Sequence, residues 1–374
     1  MRDETAGFGD GSARTAGPTD TTLPNRDASR EVGCAQRNRP RRAADYRPRA
    51  GTARRAGSGT EAAHCAKLGT LPSTMIDPAD YDALAARVSP GARARSVRRL
   101  TGGVSASTVA LEIADPAGDV RTVVVRSHGR LASKTLPTNV AAMELELLRA
   151  LFDLGVAVPE PLLLDTEPSS DAPPRLVMAF VDGTTEIPSE ALPSRLDAMA
   201  DALADLHALP TRSLPALPSR IDPVPELLEY VPDIPERDPL RAHLAAHPSA
   251  PDAGDAALLH GDYWPGNLLW RDTELAAILD WEDAAIGDPH ADVATARLEL
   301  HWSHGASAVE RFTRSYSRRR DLDRRRLALW EILASGAAAG LVGTWGLAPD
   351  ETARMRNAAL SFCRTAAAKL LYGD

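Results

Sequence analysis

Lysine is almost missing from this chain: of its 43 Lys and Arg residues, only Lys67, Lys134 and Lys369 are lysines. That is most simply a compositional preference, but it narrows the choice of phosphate-binding cation below. Cysteine is scarce too. Cys34, Cys65 and Cys363 have no paired spacing, which excludes a disulfide framework and a zinc site built on cysteines, and fits a reducing cytoplasm. No apolar run approaches the roughly 20 residues of a membrane span, so no membrane association is expected. The N-terminus lacks the apolar core of a secretory signal. With 374 residues, 44% of them hydrophobic, the chain can still bury a sizeable core in one large or two ordinary domains.

Charge is divided unevenly. Residues 1–74 hold 13 Lys+Arg against 8 Asp+Glu, a net of +5; the whole chain stands at −8, so the remainder carries −13. An acidic body argues against a nucleic-acid partner and suits a cationic substrate, although ordinary solubility charge explains it equally well. Residues 1–74 are rich in Arg, Ala, Gly, Thr and Pro without helical or strand periodicity. Such a segment cannot bury enough apolar area to offset its ordering entropy, and we expect a disordered basic leader. Patterned sequence begins at Met75-Ile76-Asp77-Pro78, which makes Met75 a candidate start of translation; a basic tail that binds a partner is the lesser alternative.

The densest chemistry lies between Leu258 and Asp292. Ala257–Leu259 reads as an apolar strand, His260–Asn267 as a polar turn, Leu268–Trp270 as a second strand and Arg271–Thr273 as a tight turn. A third strand, Leu275–Leu279, then delivers Asp280. Asp262 and Asn267 share one loop, and the hairpin beyond can fold Asp280 back beside Asn267. A carboxylate and an amide oxygen are hard donors, suited to magnesium that keeps waters and nucleotide phosphates as its other ligands. Asp262 is then free to accept a proton from a hydroxyl nucleophile. Asp and Asn in turns commonly just bend and cap backbone. The length of this string, continuing through Asp280-Trp281-Glu282 to Gly287-Asp288-Pro289 and Asp292, favours function.

His260-Gly261-Asp262 with Asn267, followed by Asp280-Trp281-Glu282, resembles the aminoglycoside phosphotransferase family, kinase-like small-molecule phosphotransferases related to choline kinases and protein kinases. In protein kinases the loop is H-R-D-x-x-x-x-N followed by D-F-G. The resemblance covers about residues 95–305. It implies an α+β, protein-kinase-like two-lobe fold, with a small antiparallel β-rich N-lobe at 76–181 holding one helix and a mainly helical C-lobe at 182–374. It further implies ATP, with GTP as the alternative, Mg2+, and a small-molecule hydroxyl acceptor.

The N-lobe parts follow the same resemblance. Strands at Ala94–Leu100 and Thr108–Ile113 flank Thr101-Gly102-Gly103-Val104-Ser105, so Gly102, Gly103 and Ser105 are candidates for covering phosphates with backbone N–H groups. The third strand, Arg121–Arg126, ends on Arg126 where protein kinases have lysine; arginine can bind phosphate through its planar fork. Lys134 is the competing cation, and a strand-end arginine in a plain ion pair is the structural alternative. On the helix Thr138–Leu154, Glu144 is chosen as the partner acid, with Glu146 the alternative. The strand Arg175–Val181 resembles the connection between lobes, and the resemblance implies that the Ala179 carbonyl and Val181 amide read adenine. His260 is expected to brace the catalytic loop, and Asp292 to fix it from the large lobe.

C-terminal helices are expected at Ala191–Leu209, near Asp292–His301, and at Ala306–Ser317, Asp323–Leu341 and Asp350–Leu371, with Trp302, Trp330 and Trp345 as core or groove wall. For the acceptor, Ile221–Asp255 supplies acids (Glu226, Glu229, Asp233, Glu236) beside apolar residues. Two other readings remain: a non-catalytic, nucleotide-binding regulatory protein, suggested by Arg126 in place of lysine, and a metal-dependent hydrolase built on His260 and Asp262.

Overall fold

The computed structural model describes residues 76–100, 106–128, 140–166, 174–250, 254 and 256–373, and the side chains of Glu229 and Tyr230 are outside that description. The leader, Gly102, Gly103, Ser105 and Lys134 therefore lie outside the described residues. Those described belong to one unit, His64–Asp374.

Period-two alternation builds the N-lobe. After helix α1 (Asp82–Val88), strands β1 (Arg93–Arg99), β2 (Ala106–Ala114) and β3 (Val120–His128) form an antiparallel meander. Val109, Leu111 and Ile113 of β2 alternate into the same apolar cluster as Val123 and Val125 of β3, as pleated strands with one buried face require. Helix α2 (Val140–Asp153) follows, and then β4 (Pro161–Asp165) and β5 (Arg175–Ala179) complete a five-stranded sheet in the order β1-β2-β3-β5-β4. Strand β5 stops at Ala179, two residues short of the Val181 expected from the apolar run. The chain leaves the sheet there, and Thr184 pairs instead with Trp270 of the C-lobe. Along α2 the buried stripe is Val140, Met143, Glu144, Leu147, Leu148 and Leu151. A helix places these i, i+3, i+4 positions on one face, and Glu144 is the ionisable member of that stripe.

The C-lobe is built on α3 (Leu192–His207), the short strand β6 (Ser219–Arg220), α4 (Val224–Tyr230), α5 (Arg237–Ala246), β7 (Ala257–Leu259), the hairpin β8 (Leu268–Arg271) and β9 (Glu274–Ile278), and β10 (Ala285–Gly287). Four helices close it: α6 (His290–His304), α7 (Ala306–Ser317), α8 (Arg324–Leu341) and α9 (Pro349–Tyr372). Strand β10 lies between β7, antiparallel, and β6, parallel. Helix α6 begins two residues before Asp292, so Asp292 lies inside its first turn.

One expectation needs correction. Arg324–Thr344 is long and apolar enough to cross a membrane by length and composition, yet 67% of its apolar 18-residue window is buried in the fold. It packs against α4, α6 and α9 as a core helix, a position in which a helix can be apolar all round. Trp330 on it is buried, whereas Trp302 and Trp345 are half-buried and meet edge to face with centroids 5.9 Å apart.

Candidate active site

The catalytic loop is shaped by one glycine and one carboxylate. Gly261 has φ +87°, and a Cβ there would collide with the backbone carbonyl of Asp283; both the left-handed conformation and the close approach call for glycine. The carboxylate of Asp292 accepts from the backbone N–H of His260 (2.7 Å, Oδ2) and of Gly261 (2.9 Å, Oδ1). The His207 ring lies 3.2 Å from the same Oδ2, and its other nitrogen meets the Tyr316 hydroxyl at 2.7 Å. Burial alone would raise the Asp292 carboxyl, but the His207 hydrogen bond and the charges around it hold it below the ordinary range. Both the loop and its brace are thus fixed by buried and part-buried hydrogen bonds, which in a low-dielectric interior are strong when satisfied.

His260 is fully buried. Its Nε2 lies 2.8 Å from the Leu279 carbonyl, and its Nδ1 accepts from the Asp262 backbone N–H at 3.2 Å. One ring nitrogen donates and the other accepts, which is the neutral tautomer, and burial pushes the ring's proton affinity down. A neutral imidazole with both nitrogens committed holds backbone in place.

Tyr263, buried with its hydroxyl on the Met199 carbonyl, anchors the loop between Asp262 and Asn267. The amide nitrogen of Asn267 donates to the Asp262 carbonyl (2.9 Å) and to Asp262 Oδ2 (3.0 Å). With its nitrogen so committed, the Asn267 oxygen is turned away from Asp262 and has no hydrogen-bond partner among the described residues. Hairpin register then brings Asp280 alongside: Leu268 pairs with Ile278, and Leu279 donates its N–H to the Asn267 carbonyl at 2.8 Å. Asp280 itself has φ 65°, a strained conformation for a non-glycine residue of a kind that collects at functional positions.

Asp262 carries a proton affinity pushed up to about 7, by burial first and then by Asp280 and Asp283. Asp280 is raised as well, by burial and by Glu282, against the pull of Arg126. Two hard oxygen donors, Asn267 and Asp280, beside carboxylates that raise one another are a donor set that fits magnesium.

From the N-lobe, Arg126 enters the same space. Its Nη2 contacts Asp280 and lies 2.8 Å from Glu282 Oε2, while its Nε is 3.8 Å from Glu144 Oε2. Burial would lower the guanidinium's proton affinity, but Glu144, Asp280 and Glu282 raise it. Glu144, not the exposed Glu146, is the acid that faces Arg126. Its Oε1 accepts the Trp281 backbone N–H at 3.2 Å, and its Oε2 lies 2.9 Å from His128 Nε2. Burial would raise Glu144, but Arg126 and His128 bring it below the ordinary range.

The structure therefore brings Asp262, Asn267, Asp280, His260, Asp292, Arg126 and Glu144 into one linked constellation. Ala179 and Val181 sit at and just after the end of β5, half-buried. Two members were missed in the sequence reading. His128 stands two residues after Arg126 on β3, hence on the same strand face; that spacing was readable. Glu282 is the last residue of Asp280-Trp281-Glu282, and an acid two places from Asp280 in an apolar setting was the available signal. The acids anticipated in 221–255 are partly committed elsewhere: Asp233 pairs with Arg237 at 3.2 Å and Glu236 with Arg364 at 3.3 Å. Glu299 on α6 was not anticipated. Its carboxyl is pushed up to about 8 by burial and by Asp262.

Residues 96–330, more than half of the chain, match the sequence model of the phosphotransferase enzyme family. Acyl-CoA dehydrogenase family member 11 of Gallus gallus is 30% identical over 231 residues, which is 56% of this chain and 29% of that protein. The chain thus aligns with less than a third of that relative's length. Viomycin phosphotransferase of Streptomyces vinaceus is 28% identical over 47% of this chain and 69% of its own. Among solved structures, a thermostable aminoglycoside phosphotransferase variant in ternary complex with AMP-PNP and hygromycin B superposes with a TM-score of 0.54 at 16% identity, covering 76% of this chain and 98% of that one.

Proposed function

Because this chain belongs to the phosphotransferase enzyme family, we propose that it transfers the γ-phosphoryl group of a nucleoside triphosphate, ATP or GTP, to a hydroxyl of a small molecule. The observation that carries this reading is the pairing of Asp262 with Asn267 directly beside Asp280, braced from behind by Asp292 and faced by Arg126. Phosphoryl transfer asks little covalent chemistry of a protein; it needs positioning and neutralisation of charge. Asp262 has the proton affinity of a group that can take a proton near neutral pH, and it orients the acceptor hydroxyl and receives its proton. Asn267 and Asp280 would hold magnesium, which supplies charge neutralisation to the phosphates. Arg126 contributes a planar cationic fork for phosphate oxygens, and Glu144 limits where that fork can go. On the family resemblance the Ala179 carbonyl and Val181 amide would read the base of the nucleotide, and Gly102, Gly103 and Ser105, outside the described residues, would cover the phosphates.

The acceptor class follows less directly. Asp280, Glu282 and Asp283 surround Asp262 with carboxylates, which favours an acceptor without negative charge of its own. The test is phosphate transfer from magnesium-ATP across a panel of amino sugars, amino alcohols, neutral sugars and hydroxy acids. Transfer to at least one member, lost in Asp262→Ala, is the expected result. Tight nucleotide binding without transfer to any acceptor would support a regulatory protein instead, and product formed without nucleotide would support a hydrolase.

A further inference from the structure

In a kinase-like site a single strand cation is asked to do two things: hold the helix acid and bind phosphate. Here the distances divide those tasks. The Arg126 fork is directed at the C-lobe, with Nη2 on Asp280 and Glu282, and only its Nε approaches Glu144, at 3.8 Å. His128 makes the closer approach, 2.9 Å from Nε2 to Glu144 Oε2, and the same nitrogen is 3.5 Å from Glu282. Glu144 is 1% exposed, and its other oxygen is taken by the Trp281 backbone N–H. A carboxylate so buried is costly unless a cation or strong donor stays with it. Any phosphate that draws the Arg126 fork away would strip Glu144 of that partner, were His128 not beside it.

We propose that His128 is a positioning residue for nucleotide binding: it holds Glu144 against the Trp281 backbone while the Arg126 fork turns from Asp280 and Glu282 to the phosphates. This rests on the phosphotransferase reading above. Arg126 and His128 reach the same acid because residues i and i+2 of a strand share a face, so the division of labour is built into β3. His128 acts through Glu144 and needs no contact with the nucleotide.

The experiment is calorimetric titration of the full chain with magnesium-AMP-PNP. His128→Leu should weaken binding about tenfold, the equivalent of about 1.4 kcal/mol. His128→Gln, whose amide nitrogen can stand where Nε2 stands, should restore affinity to within about threefold of the parent. In a double-mutant cycle, His128→Leu should add little once Glu144→Gln is present. Thermal midpoints of the Leu and Gln variants are compared in parallel, so that a loss of affinity at equal stability marks positioning. Should the Leu variant not fold, His128→Asn, too short to reach Glu144, takes its place. Affinity in the Leu variant within twofold of the parent, or effects of the two substitutions that simply multiply, would overturn the proposal. No binding by the parent protein would instead sink the phosphotransferase reading, a separate outcome.

Discussion

Asp292 has two carboxylate oxygens, and both are spent on shaping a loop 31 and 32 residues earlier in the chain. Each takes a backbone N–H, and the His207 ring adds a third partner. Asp292→Asn keeps the shape but puts an NH2 where one of those N–H groups points. We expect it to cost about 1–3 kcal/mol, the penalty of a buried donor left unmatched, measured by denaturant unfolding. The native carboxyl is held below its ordinary value, so the folded state binds its proton less readily than the unfolded chain. The stability it contributes is full above the unfolded value of about 4 and is lost as pH falls below that. The stability gap between the parent and Asp292→Asn should therefore narrow on acidification through pH 4; a gap independent of pH would contradict it. Asp262 presents the opposite case, a carboxyl raised by burial and like charges. Asp262→Asn should lower transfer about 100- to 10,000-fold, the range for loss of a positioned acid–base group, with nucleotide affinity largely kept.

At the scale of the element, Gly261 decides whether the turn after β7 can form. Its φ of +87° and the collision a Cβ would make with Asp283 predict that Gly261→Ala destabilises the fold by about 1–3 kcal/mol and lowers transfer as well, since Asp262 is the next residue. Normal activity in that variant would contradict the assignment. The same element scale separates what was legible in the sequence from what was not. The hairpin β8–β9 was readable because two short apolar runs flank a tight turn, and their antiparallel pairing brings Asp280 to Asn267. The buried stripe of α2 was readable from helical spacing, with Glu144 standing in it. Strand β6 was not: two residues, Ser219 and Arg220, have no periodicity, and they become strand only through parallel pairing with β10, far along the chain. The end of β5 was misjudged because Phe180 and Val181 continue the apolar pattern, while the hydrogen bonding that stops the strand comes from elsewhere. Asp288 shows the same limit. It reads as one residue of a Gly-Asp-Pro turn, yet it is fully buried and partnered by His290, Arg326 and Trp330. Only the packing of α8 against α6 reveals that. Arg326→Leu would leave this carboxylate with its ring partners alone, and a loss of about 3–5 kcal/mol is expected on unfolding, as for other broken buried pairs.

Across the whole molecule, the two lobes are joined at the site by charge. Arg126 and His128 come from the sheet, Glu144 from α2, and Asp280 and Glu282 from the loop after β9, so cations of one lobe meet carboxylates of both. On the proposed function, nucleotide binding and lobe packing draw on the same set of contacts. Without ligand, Arg126→Ala leaves Asp280 and Glu282 beside each other with no guanidinium, and it should destabilise the protein by about 3 kcal/mol. In the parent, magnesium-AMP-PNP at 100 times its dissociation constant should add about 2.7 kcal/mol by mass action. At that same nucleotide concentration the Arg126→Ala variant should gain much less, because its phosphate contact is gone along with its interlobe contact. Unfolding with and without nucleotide in both proteins reads the two effects together. If the variant were less stable alone yet gained as much from nucleotide as the parent, Arg126 would be an interlobe strut and the phosphate-binding cation would have to be sought elsewhere.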